Sequence, residues 1–120
     1  MKHLALVVLG LLFAAGTAVV ANGADAPQEK SVTGHLIDTF CYSTMGATGA
    51  THKQCAIGCA KKGIPVALRE KDGKLFVLLP PKDAEPLPSD VIDKMEDEVT
   101  VTGKEYQSGG VTFLTVESIK

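Results

Sequence analysis

The stretch Val66-Ala67-Leu68-Arg69-Glu70-Lys71-Asp72-Gly73-Lys74-Leu75-Phe76-Val77-Leu78-Leu79 sets two apolar runs on either side of a Lys-Asp-Gly-Lys turn. Asp-Gly is a strong hairpin signal because the turn needs positive φ, which glycine adopts without steric cost. Val66 to Glu70 and Leu75 to Leu79 are therefore predicted to pair as antiparallel strands. Beyond them, Pro80, Pro81, Pro86 and Pro88 rule out a central strand and predict a surface connection. Ser89 is placed to cap a short helix over Asp90 to Met95, with Val91, Ile92 and Met95 on one side.

Alternating apolar positions predict two more strands, Glu98 to Gly103 and Val111 to Ile119, joined by a turn at Ser108-Gly109-Gly110. On the other side of the hairpin, Val32, Gly34 and Leu36 alternate with Thr33 and His35, so Ser31 to Asp38 is the first strand. Thr39 to Ala50 lacks periodicity and reads as a flexible loop with Cys41 near its start. Thr51 and Gln54 have the spacing of a capping box, and Gly63 with Pro65 supplies a stop, which predicts a helix over His52 to Lys62. The expected fold is α+β, a small five-stranded antiparallel OB-like sheet or partly open barrel. One Cys-bearing helix is inserted after the first strand.

The N-terminus has the layout of a secretory signal: Lys2 and His3, an apolar stretch from Leu4 to Val20, then small residues. Residues 1–23 are read as the signal, with candidate cuts after Ala21, Gly23 or Ala26, followed by a polar leader, 24–30, and a single domain, 31–120. An uncleaved anchor is the rival reading, but the apolar stretch is short for a span and no basic stop follows it. The expected location is periplasmic or secreted, with no membrane association after cleavage. Removing residues 1–23 takes away one of the 12 Lys+Arg and none of the 14 Asp+Glu, for a net charge of −3. A chain of that charge lacks the basic surface that nucleic acid requires.

Chemistry is concentrated in one segment. His52, Cys55 and Cys59 stand at i, i+3 and i+7 of the predicted helix and so project from one face. Cys41, on the loop leading in, can fold back over the helix start, and His35 and Asp38 are further candidates. Thiolates and imidazole at this spacing suit zinc through Cys41, His52, Cys55 and Cys59, or copper in an exported carrier. Met45 is a soft donor in the same loop, although local packing accounts for it. An alternative is a disulfide from Cys41 to Cys55 or Cys59, stapling a non-enzymatic module that binds a small ligand or a protein partner. Thiol redox chemistry is a second alternative. His35 and Asp38 also have plain readings, as a strand-surface histidine and as a turn residue accepting backbone amides. The acidic stretch Asp93 to Glu98 reads as a solvated helix face, with Lys94 and Glu98 at i,i+4. No pattern in the chain specifies a reaction.

Three stretches together resemble a group of small uncharacterised exported bacterial domains. They are Gly34 to Cys41, His52 to Gly63, and Val99-Thr100-Val101-Thr102-Gly103 with Thr115 to Ile119. The shared features are a strand ending in Asp-x-x-Cys, a His-x-x-Cys-x-x-x-Cys helix ending in glycine, and a closing Val-Thr-Val-Thr-Gly strand pair. The resemblance implies a motif formed by Asp38, Cys41, His52, Cys55 and Cys59, and brings no activity, substrate or cofactor with it. This chain differs from the group in having Tyr42, where the others have glycine.

Overall fold

The computed structural model describes residues 26–120. The expected signal peptide, residues 1–23, and two of its three candidate cuts lie outside the described residues. The first strand, β1 (Gln28–Asp38), starts earlier than the alternation suggested and takes in the end of the polar leader. After it come α1 (Thr39–Met45), a 3-10 turn (Ala50–His52), α2 (Lys53–Lys61), β2 (Val66–Arg69) and β3 (Leu75–Leu79). The chain continues through α3 (Ser89–Asp93), β4 (Glu98–Ser108), β5 (Val111–Thr115) and β6 (Ser118–Ile119). Among the described residues no helix is long and apolar enough to cross a membrane.

The strands close into a small barrel in the order β1-β2-β3-β5-β4, with β4 returning to β1 and β6 added beside β4. The Asp-Gly hairpin pairs as predicted, Leu68 opposite Phe76. Gly109 and Gly110, both at positive φ, form the two-residue turn between β4 and β5. The expected purely antiparallel sheet is corrected: β3 and β5 run parallel, with Val77 opposite Phe113. The cause is arithmetical. Strand directions cannot alternate all the way around a ring of five, so four antiparallel pairs force one parallel pair at closure. The proline-rich connection after β3 supplies the length that this crossover needs.

Val32, Leu36, Leu68, Phe76, Val101 and Leu114 fill the barrel, and Ala56 of α2 with Val91 and Met95 from the α3 region complete the core. Two glycines let the long strands turn from one neighbour to the next. A Cβ on Gly34 would meet the Arg69 carbonyl oxygen at 2.4 Å, and one on Gly103 would meet that of Thr115 at 1.7 Å. These obstacles are backbone atoms within the barrel wall and cannot swing aside.

Three local expectations are corrected. Thr39–Met45 is helix, not loop, because Asp38 caps its start and Gly46, at φ 65°, closes its end. The Thr51/Gln54 capping box does not form: Thr51 lies within the 3-10 turn, and α2 starts after His52 without a side-chain cap. The acidic segment is not a solvated helix face either. α3 ends at Asp93, and Glu96 turns inward at φ 66° to become buried.

Gly103→Ala is expected to lower the unfolding free energy by at least about 2 kcal/mol, the scale of overpacking in a closed wall. Urea denaturation measures this, with Gly58→Ala as the control, since a Cβ at Gly58 meets nothing within 4 Å.

Candidate metal centre

The site lies where β1 leaves the barrel. β1 is buried on one face along most of its length, but its last two residues, Ile37 and Asp38, are both buried because the inserted helices cover the outer side. Asp38 is fully buried and uses both carboxylate oxygens. Oδ1 accepts the Cys41 backbone N–H at 2.8 Å, and Oδ2 lies 2.9 Å from His52 Nε2. One carboxylate thus caps α1 and ties it to the turn that precedes α2.

A second acid holds that turn from the far side. Glu96 Oε2 accepts the Gly49 N–H at 2.7 Å, while the Glu96 backbone N–H donates to the Leu36 carbonyl. Next to it, Asp97 pairs with Lys53 in the first turn of α2. The connection between α3 and β4 therefore fastens the start of α2 against the end of β1.

This framework brings the three cysteines together. Cys41 projects from the first turn of α1, while Cys55 and Cys59 stand one turn apart on α2. Their Sγ atoms all lie within 4.8 Å of one another. Exposure is graded: Cys41 is buried, Cys59 half-buried and Cys55 exposed, and all three are free thiols. The disulfide of the alternative reading, from Cys41 to Cys55 or Cys59, is not formed in this structure.

A second group overlaps the first. Donor atoms of Asp38, Cys41 and His52 also lie within 4.8 Å of one another, so Cys41 belongs to both sets. Of the four ligands expected from the sequence, Cys41, Cys55 and Cys59 form one set. His52 stands in the other, its imidazole turned toward Asp38. Its position in the 3-10 turn, and not on the face of α2, accounts for this orientation. Asp38 accepts a backbone amide as expected and in addition orients the imidazole. His35 belongs to neither group and faces Glu98 at 3.6 Å on the barrel surface, and Met45 is exposed. Glu96 escaped the sequence reading because a buried acid at positive φ looks, in sequence, like any other member of an acidic run.

The electrostatics follow from the burial. Burial pushes the Asp38 carboxyl up, but its bond from the Cys41 amide and its contacts with His52 and the Cys41 thiol outweigh this and leave it below its ordinary 3.8. The Cys41 thiol is pushed up to about 12, first by burial and then by the Asp38 carboxylate and Cys59 beside it. Cys59 is raised as well, by burial first, with the Asp38 and Cys55 charges adding to it and the Cys41 contact opposing. At neutral pH these two sulfurs therefore hold their protons, and a metal ion bound here would have to displace them.

No family model matches the chain, and no similar curated protein or solved structure is found.

Asp38→Ala is expected to cost about 2–4 kcal/mol, combining a lost helix cap with a stranded partner for His52, whereas Asp38→Asn keeps the cap and costs less. The acid limb has a definite sign. Folding lowers the Asp38 pKa, so its stabilisation is complete above 3.8 and is lost as pH falls through the folded value. Denaturant titrations from neutral to acid pH should therefore show a loss of stability that is smaller in Asp38→Asn than in the parent chain.

Proposed function

We propose that this chain is an exported metal-binding domain of OB-like fold that takes a soft transition-metal ion on the sulfurs of Cys41, Cys55 and Cys59. The observation that carries the reading is the convergence of three Sγ atoms within 4.8 Å, drawn from the two helices inserted between β1 and β2. The OB-like assignment is supported by the β1-β2-β3-β5-β4 order and by a helix after the third strand. Export to the periplasm or the outside is supported by the signal-like N-terminus and by the resemblance to small exported bacterial domains.

Between the two metals considered, copper in its monovalent state is the better match. Thiolate sulfur is a soft donor, and a set of sulfurs alone favours a soft ion. A structural zinc site takes four ligands, and His52, the fourth ligand expected from the sequence, groups with Asp38 and Cys41 and not with the three sulfurs together. The site is also open at Cys55, as a carrier requires, while the barrel core is packed without any contribution from Cys55 or Cys59. His52 acts in this reading as a positioning residue. It steadies Asp38, and Asp38 steadies the α1 turn that presents Cys41.

The test is metal loading of the reduced full chain with monovalent copper, read by native mass spectrometry and elemental analysis. One ion per chain is expected. Cys55→Ser, at an exposed position that leaves the core intact, should weaken binding by more than about 100-fold, and His52→Ala by about tenfold, the scale of a supporting residue. Affinity should rise with pH, because Cys41 and Cys59 must release protons to bind. Failure to retain a stoichiometric ion, or equal loss in His52→Ala and Cys55→Ser, contradicts the proposal.

A further inference from the structure

The graded exposure of the three thiols has a chemical consequence that metal binding alone does not use. Cys55 is exposed, Cys59 half-buried and Cys41 buried, yet their sulfurs lie within 4.8 Å of one another. A disulfide bond needs sulfurs at about 2.05 Å, so a pair must close by no more than about 2.8 Å to bond. Of the two cysteine helices, α1 is the less deeply seated in the core. α1 buries only Cys41, and the segment joining it to the 3-10 turn has positive-φ glycines at both ends, Gly46 and Gly49. α2, by contrast, is seated in the core through Ala56.

We infer that the three sulfurs form a disulfide-exchange relay that opens at Cys55 and ends in a Cys41–Cys59 disulfide, dismantling the metal-binding set. The oxidant is a low-molecular-weight disulfide, and every step is thiol–disulfide exchange. Cys55 gives up its proton and attacks one sulfur of the small disulfide, breaking its S–S bond, forming a mixed disulfide and releasing one small thiol. Cys59, one helical turn away, attacks the Cys55 sulfur, and the second small thiol leaves. Cys41 then attacks the Cys59 sulfur and Cys55 departs as a thiol. In sum, two protein thiols are oxidised and one small disulfide is reduced to two thiols. The two hydrogens lost from the protein are balanced by those gained by the two small thiols.

The end point follows from geometry. A bond between Cys55 and Cys59 joins residues at i and i+4 of a regular helix, a strained geometry that makes it a transient intermediate open to attack by Cys41. A Cys41–Cys59 bond joins α1 to α2 and requires no cross-link within a single helix. It also leaves Cys55 alone on the surface, so the oxidised chain has one free thiol where the reduced chain has three. The consequence for metal rests on the reading given above, whereas the relay itself does not.

The experiment exposes the reduced, metal-free full chain to oxidised glutathione, quenches with acid, and reads intact mass and the disulfide peptide map over time. The relay predicts a transient glutathione adduct on Cys55, then loss of two hydrogens and a Cys41–Cys59 cross-link. Cys55→Ser should slow the cross-link by at least about tenfold. Cys59→Ser should accumulate the Cys55 adduct, and circular dichroism of both variants reports that they are folded. The oxidised chain, given monovalent copper, should no longer retain one ion. A stable Cys55–Cys59 product, an unchanged rate in Cys55→Ser, or full copper retention after oxidation overturns the inference. A Cys41–Cys59 product from a chain that takes no copper when reduced upholds the relay and removes the metal reading alone.

Discussion

The buried carboxylate of Asp38 is the interaction on which the site depends. It stands at the last position of β1, with no solvent to satisfy it, and therefore must find donors within the protein. It finds the Cys41 amide on one side and the His52 ring on the other, and these two bonds fix where α1 begins and where the 3-10 turn before α2 comes to rest. Without them, a seven-residue helix that buries only one side chain would have little to hold it, because so short a helix is not stable by propensity. The position of Cys41 relative to Cys55 and Cys59 is thus set by a carboxylate that is not itself one of the three sulfur donors. Glu96 performs the corresponding task at Gly49, so two buried acids hold the one segment that links the cysteine helices.

Barrel and site divide the work. The barrel is closed by backbone pairing around five strands, and its core is aliphatic with one phenylalanine. The cysteine helices are an insertion between β1 and β2 that rests on the barrel wall mainly through Ala56 and neighbouring residues. Cys55 and Cys59 lie outside the core cluster, so the two α2 thiols are not held by core packing. One fold hosts many chemistries, so function follows from the site and not from the barrel.

Much of this was legible in the sequence, for physical reasons that can be named. Asp72-Gly73 and Gly109-Gly110 announced both hairpins because few residues tolerate the φ values that tight turns demand. The clustering of Cys55 and Cys59 followed from helical spacing alone. What was not legible depended on partners distant in sequence. α1 has no apolar stripe, so only its two caps, Asp38 and Gly46, marked it, and caps are weak signals without periodicity between them. The parallel β3–β5 pair arises only once the ring closes. His52 could not be assigned to Asp38 in place of the thiols, because the 3-10 turn that rotates it away from the α2 face is held by Glu96, nearly fifty residues further along.

The proposed reading is that the sulfur donors and the exposed Cys55 suit a soft cation that arrives and leaves. X-ray absorption at the copper edge of the reduced full chain, loaded with one equivalent of monovalent copper, tests that claim most directly. The account predicts a first shell of three sulfurs with no nitrogen. A shell dominated by nitrogen or oxygen, placing the ion on His52 and Asp38, would contradict it.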